Sequence, residues 1–264
     1  MSIPATMRAL QQTSLNGPQD LRLITDALVP MPGPGEILIR VTAAGVNFVD
    51  ISQARGTYPG VVSWPTALAA LKPLGKVAAG QTVLIHAGAG ATGQAAVKLA
   101  KHYGARVIAT ASPGKHETVR ALGADHVLDS RGADIAAEVL RLTGGTGADL
   151  VLESAGGDNF GASMAAAKRV TSRVVVYGLA GGEATITNTE LVYKHQIQVI
   201  GLNIGVLIQA APQIFGEVMG ELFGLMAAGV LTPGQPTTYE LADGPKALTE
   251  LEARTTVGKL ALLP

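Results

Sequence analysis

From about residue 80 onward, hydrophobic and polar positions switch between two periods. Short apolar runs rich in β-branched residues at 82–86, 105–110, 126–129, 149–153, 173–178 and 196–202 predict strands. Between the first five lie stretches of helical period, predicted over 91–103, 115–122, 134–142 and 160–169. Gly104, Gly123 and Gly144 follow the first three, where a left-handed residue usually stops a helix. A last apolar helix is predicted over 213–228, ending at Gly229. Strands alternating with helices of this length predict an α/β fold of Rossmann type, a doubly wound parallel sheet covered on both faces.

The ends of the chain differ. Glu36-Ile-Leu-Ile-Arg-Val-Thr-Ala43 alternates and follows the loop-like Pro30-Met-Pro-Gly-Pro-Gly35, so a strand is predicted there. Lys259-Leu-Ala-Leu-Leu-Pro264 predicts a second short strand. The two β-rich ends are expected to meet in a smaller module, residues 1–65 with 232–264, around a dinucleotide-binding middle at 66–231. No internal repeat is present.

Composition narrows the chemistry. The formal net charge is zero, which argues against a broad basic surface for nucleic acid. The absence of cysteine excludes disulfides, Cys-ligated zinc, iron–sulfur clusters and a thiol nucleophile. The one long uncharged run, between Lys194 and Glu217, carries Gln196, Gln198, Asn203, Gln209 and Gln213, too polar for a bilayer span. With no signal-peptide pattern at the N-terminus, the expectation is a soluble, cytoplasmic protein without a membrane partner.

Gly88-Ala89-Gly90-Ala91-Thr92-Gly93 matches G-x-G-x-x-G directly after a predicted strand and before a predicted helix. In that context Gly88 would permit the tight turn, Gly90 the approach of a pyrophosphate, and Gly93 close helix–strand packing. The free amides opening the helix would face the anion. Gln94 stands where a nucleoside-triphosphatase loop needs Lys. The second strand ends Thr110-Ala-Ser112-Pro-Gly-Lys115, without the carboxylate that holds an NAD ribose. Ser112 and Lys115 instead favour a 2′-phosphate, so NADPH is the expected cofactor.

Two rival chemistries fail on spacing. Residues four beyond Tyr58, Tyr103, Tyr177, Tyr193 and Tyr239 are Val62, Val107, Gly181, Ile197 and Asp243, so no Tyr-x-x-x-Lys pair exists. The five histidines are dispersed without a metal-binding spacing, and His86 reads as a strand-end core or loop residue.

The glycine motif, with Ala43-Ala-Gly-Val-Asn47-Phe-Val-Asp50, Gly56-Thr-Tyr58-Pro and Arg254-Thr-Thr-Val-Gly-Lys-Leu260, resembles the zinc-independent quinone oxidoreductases. These belong to the medium-chain dehydrogenase/reductase superfamily, with zeta-crystallin and enoyl reductases. The resemblance implies that Asn47 and Tyr58 line the nicotinamide and substrate pocket. It implies that Ser112, Lys115 and Arg254 surround the 2′-phosphate, and that Ser130 stands where relatives often place a tyrosine near the cofactor. Ala155, Gly156, Tyr177, Gly178 and Leu179 would border the nicotinamide. Relatives reduce quinones or activated alkenes, so a small apolar carbonyl or quinone is the implied substrate. The run 196–202 would pair across a homodimer interface as in those relatives.

The chain departs from the family after Tyr58. Relatives continue with a Pro-x-x-x-Gly-x-Glu motif and a Gly-Asp-x-Val turn that complete a GroES-like barrel. Here Trp64-Pro-Thr66-Ala-Leu-Ala-Ala-Leu71, which resembles the helix after that barrel, follows almost at once. About seventy residues of the catalytic module are expected to be absent, leaving strand edges that self-association could cover. Three functions stay open: an NADPH-dependent, metal-independent reductase, an NADPH-binding protein that has lost turnover, and a scaffold repurposed for cyclisation or isomerisation.

Overall fold

A computed structural model describes residues 3–55, 63–231 and 235–264. Its elements run, in chain order, β1 (Thr6–Gln12), β2 (Leu21–Leu28), β3 (Ala44–Val46), α1 (Phe48–Ala54), α2 (Ser63–Ala69), β4 (Thr82–Ile85) and α3 (Ala91–His102). They continue with β5 (Arg106–Ala111), α4 (His116–Ala121), β6 (His126–Asp129), α5 (Ile135–Leu142), β7 (Leu150–Glu153) and α6 (Asp158–Ala166). The last are β8 (Arg173–Val176), β9 (Gln198–Gly201), α7 (Ile204–Ala210), α8 (Pro212–Ala227), β10 (Thr237–Glu240), α9 (Gly244–Glu252) and β11 (Leu260–Leu263). They form two compact units, Met1–Val61 with Gly234–Pro264, and Val62–Pro233.

The larger unit is a Rossmann α/β fold. Its six strands are all parallel, in the order β6-β5-β4-β7-β8-β9. Every residue of β4 and β7 is buried, as expected for strands covered on both faces. Leu84, Ile108, Val151 and Val174 from the sheet pack with Ile135, Val139, Phe160 and Met164 from the helices. Gly104, Gly123 and Gly144 hold φ of 74°, 104° and 62°, the left-handed stops anticipated from their spacing. Asp134 caps α5 by accepting from the Ala137 amide at 3.0 Å. Chain order reverses between β4 and β7, so the loops after these two strands meet at the switch point where such sheets bind ligands.

The smaller unit has two sheets, the hairpin β1–β2 and a three-stranded sheet in the order β10-β11-β3. Val46, Ile51, Leu241, Ala247, Leu248, Leu260 and Leu262 form its core. Leu10 of β1 packs where a Cβ on Gly244, at the start of α9, would come within 2.2 Å of its side chain. Arg55 pairs with Glu252 at 2.8 Å, tying α1 to α9.

One expectation fails here. Residues 36–43 form no strand, and regular structure resumes only at Ala44. Ile37, Ile39 and Val41 are 81%, 69% and 55% exposed. Alternation makes a segment competent to pair, but a strand also needs a neighbour to satisfy its amides and bury its side chains.

Candidate functional site

The turn after β4 gathers the glycine motif. His86 N donates to Leu152 O at 3.2 Å and Gly88 N donates to Thr110 O at 2.8 Å, so the turn is held by both neighbouring strands. The left-handed residue is Ala87, with φ of 51°, rather than Gly88. Gly88 is required for another reason: its Cβ would lie 3.0 Å from Ala109 Cβ and 3.2 Å from Val119 Cγ1. Gly93 is the tightest position, since a Cβ there would sit 2.1 Å from the Ala87 carbonyl oxygen. Gly90 is exposed and extended at the N-cap of α3, with Ala91 and Thr92 half-exposed behind it. Its own side chain provides no cap, so the first amides of a twelve-residue helix face outward with the positive end of its dipole. Gln94 closes the loop by donating to Ala89 O at 2.9 Å.

The end of β5 supplies the next group. Ser112 and Lys115 are joined by a 2.9 Å bond from the Lys115 amide to the Ser112 carbonyl. Ser130 lies alongside, its amide donating to Ala111 O at 2.9 Å. Burial pushes the Lys115 ammonium below the usual lysine range, and the nearby Arg131 guanidinium pushes the same way. The strand itself ends without a carboxylate, and Arg131 is near enough for its charge to be felt at Lys115. Arg131 was not singled out in the sequence, because it reaches Lys115 only across the β5–β6 pairing.

The turns after β7 and β8 close the row. Gly156 and Gly157 hold φ of 66° and 51°, and a Cβ on Gly156 would meet Gly182 O at 2.3 Å. A Cβ on Gly178 would meet Ser154 O at 2.7 Å. Gly181 N donates to Ala155 O at 2.5 Å and Gly157 N to Gly182 O at 3.0 Å. Ala155, Gly156, Tyr177, Gly178 and Leu179 therefore lie together on two interlocked backbone turns. The Tyr177 hydroxyl is buried beside Ser154 without a well-formed hydrogen bond, and burial pushes its pKa up to about 12.

A buried relay joins these turns. Thr110 Oγ1 accepts from Ala87 N at 3.3 Å and lies 3.3 Å from His86 Nδ1. His86 Nε2 is 2.9 Å from Ser163 Oγ, which donates to Glu153 Oε2. Glu153 Oε1 accepts from the amides of Ala155 at 2.6 Å and Gly156 at 2.8 Å. Burial lowers the His86 pKa and the Glu153 charge raises it, with burial the larger effect, so the imidazole is neutral at neutral pH. With its proton on Nε2, every hydrogen in the line from Ala87 N to Glu153 has an acceptor, and the Ser163 hydroxyl has the Asn159 carbonyl at 3.0 Å as a second. Thr110, Glu153 and Ser163 are the residues sequence reading missed. The signal was a lone carboxylate ending the buried run Leu150-Val-Leu-Glu153.

The other expected residues lie elsewhere. In the smaller unit, Asn47 N donates to Asp50 Oδ2 at 2.6 Å and its Oδ1 accepts from Lys259 Nζ. Gly45 makes room for that lysine, whose Cε would lie 2.9 Å from a Cβ there. Burial pushes the Asp50 carboxyl up and the Lys259 ammonium down. Arg254 also belongs to this unit, just after α9, with φ of 57°. Tyr58 and its Gly56-Thr-Tyr-Pro motif lie outside the described residues. Among the described residues no group of three or more His, Cys, Asp or Glu could hold a metal ion, and no helix is long and apolar enough to cross a membrane.

A family model described as zinc-binding dehydrogenase matches residues 91–221. Mycoketide-CoA synthase of Mycobacterium tuberculosis is 31% identical over 311 aligned positions, covering 92% of this chain. A mycobacterial protein complexed with NADPH superposes with a TM-score of 0.90 at 28% identity, over 98% of this chain and 100% of that one. The quinone oxidoreductase of Pseudomonas syringae pv. tomato DC3000 gives 0.88 at 25% identity, over 97% and 99%. The chain belongs to the medium-chain dehydrogenase/reductase superfamily.

As a member of that superfamily it is short. It spans only 7% of the length of the mycoketide synthase. The 311 aligned positions use 92% of 264 residues, about 243, so about 68 positions of the synthase have no counterpart here. That is the size of a small module, and it agrees with a truncated family chain. Among the described residues, 36–43 has no strand neighbour.

Proposed function

We propose that the chain binds NADPH at the β4–α3 turn and reduces a quinone or an α,β-unsaturated carbonyl without a metal. The observation that carries this reading is the pairing of an anion-facing glycine turn with the Lys115–Arg131 corner. The turn would admit a diphosphate because Gly90 is exposed without a side chain and α3 is drawn against Ala87 at Gly93. Ser112, Lys115 and Arg131 would hold the 2′-phosphate, with Ser130 beside them. Ala155, Gly156 and the Tyr177–Leu179 turn would carry the nicotinamide half. When bound, NADPH supplies a hydride.

Asn47 and Tyr58 are the substrate-side residues of this reading. Lys259 holds the Asn47 carbonyl oxygen and the Asn47 side chain also bonds the Asp50 carboxylate, so the amide is held in one orientation. Arg254 is retained as a phosphate-side cation. The domain boundaries proposed from the sequence, 1–65 with 232–264 and 66–231, carry the same division of labour. A homodimer is proposed through the outer edge of β9, which ends the six-stranded sheet.

A second reading is favoured by the shortened chain: a protein that binds NADPH with little turnover, since a site open to water loses much of its electrostatic stabilisation. One experiment separates the two. NADPH oxidation is followed at about 340 nm with a panel of quinones and enones, beside a direct binding titration. Oxidation that depends on the acceptor supports the reductase. Binding without oxidation selects the second reading, and no binding removes both.

A further inference from the structure

We infer that Glu36-Ile37-Leu38-Ile39-Arg40 is a self-complementary edge that pairs antiparallel with the same segment of a second copy of this chain. The segment lies in the smaller unit, and the inference is independent of the dinucleotide reading. Its residues favour strands, yet it belongs to no sheet. Ile37 and Ile39 stand in solvent, followed by Val41. The Glu36 amide donates to the Gly33 carbonyl at 3.0 Å, but a monomer gains nothing from a row of exposed β-branched side chains on a segment outside any sheet, which is the chemistry that draws in another strand.

The order of charges selects the occupant and its direction. Glu36 and Arg40 are each two residues from Leu38. Antiparallel pairing centred on Leu38 sets Glu36 opposite the partner's Arg40 and Arg40 opposite the partner's Glu36. On the other face each Ile37 meets the partner's Ile39. Opposite charges and paired β-branched residues both stabilise cross-strand neighbours. Parallel pairing in register would set glutamate on glutamate and arginine on arginine, which is unfavourable. A shift of two residues in either direction leaves both charges without a counterpart, and a shift of one turns the isoleucines against the charged face. The ladder is bounded by Pro34, which has no amide to donate and would face Thr42 of the partner subunit. Glu36 Oε2 already accepts from Gly33 N at 2.8 Å, but a carboxylate has capacity for several donors.

A ladder this short buries less than the about 1,200 Å² of a standard interface. The pairing is therefore weak alone and strengthens when another contact holds two chains together.

The chain has no cysteine, so a single Leu38→Cys substitution reports on this contact alone. Cross-strand partners bring Cβ atoms within about 4.5–5.5 Å, close to disulfide distance. Under mild oxidation Leu38→Cys should form a disulfide-linked dimer at least tenfold faster than Leu15→Cys, an exposed control outside the segment. Adding Glu36→Arg, or Arg40→Glu, should slow this about tenfold. Mixing those two charge variants should restore it, with mixed dimers dominating, because each then meets its complement. Equal rates for Leu38→Cys and the control overturn the inference, as does a mixture no faster than its components. Should the cysteine perturb folding by circular dichroism, sedimentation of the two charge variants, separately and mixed, decides the question: a larger species in the mixture than in either variant alone supports the pairing, and equal sizes refute it. Neither outcome depends on NADPH binding or on the β9 edge.

Discussion

The β4–α3 region and the segment 36–43 are both written in clear periodic sequence, yet only the first becomes regular structure. Val83, Leu84 and Ile85 are buried between β5 and β7, and the turn that follows is fixed by hydrogen bonds to both neighbours. Ile37, Ile39 and Val41 have comparable composition, and they face solvent. The difference is the presence of partners. Pattern states which face a segment can bury, and neighbouring strands decide whether it does.

Substitutions can sharpen that contrast, the largest expected effect coming from Gly93. A Cβ 2.1 Å from the Ala87 carbonyl cannot be absorbed by a flexible side chain, so Gly93→Val must move α3 from β4. Urea denaturation is expected to show a loss of about 3 kcal/mol or more, with at least tenfold weaker NADPH binding. Next is Glu153→Ala, which leaves the Ala155 and Gly156 amides without their acceptor, while the Ser163 hydroxyl keeps the Asn159 carbonyl at 3.0 Å. At about 1–3 kcal/mol for each buried orphan, a loss of roughly 3 kcal/mol is expected. Glu153→Gln keeps one acceptor oxygen and should lose about half of that.

Acid acts through the same relay. The folded state holds His86 below its ordinary value of 6.5, so at low pH the unfolded chain binds a proton that the folded one refuses. Stability from this group is full above 6.5 and declines as pH falls toward the folded pKa, by up to about 1.4 kcal/mol per pH unit. His86→Gln should flatten that part of a melting-temperature profile against pH. The smallest effect belongs to the smaller unit. Ile39→Thr at an exposed, unpaired position should change stability at low protein concentration by no more than about 0.5 kcal/mol. A larger loss would mean that the segment is packed within a single chain.

What could be read from the sequence follows the range of the interactions. The order of strands and helices through the larger unit, the helix stops at Gly104, Gly123 and Gly144, and the position of the glycine turn are encoded within short windows. Details within those windows shift with tertiary contacts. The run predicted over 196–202 contracts to Gln198–Gly201 because Gln196 adopts φ of 53°, and Gly88 packs against Val119 while Ala87 makes the turn. The helix Gly244–Glu252 opens with Gly-Pro and was hidden behind two helix-breaking residues, although proline is well suited to a first turn. The relay was not legible because His86, Thr110, Glu153 and Ser163 come from four separate stretches. The strand expected at 36–43 was misread because nothing in its own residues says whether a neighbouring strand is there to receive it.

The central claim is that the turn beginning at Ala87 holds a dinucleotide, with Lys115 and Arg131 selecting its 2′-phosphate. Isothermal titration of the purified chain with NADPH and NADH, repeated with Lys115→Ala, tests it most directly. The account predicts NADPH binding at least tenfold tighter than NADH, and a selectivity that falls toward unity in the variant. Equal affinities in the unaltered chain, or no heat with either nucleotide, would contradict it.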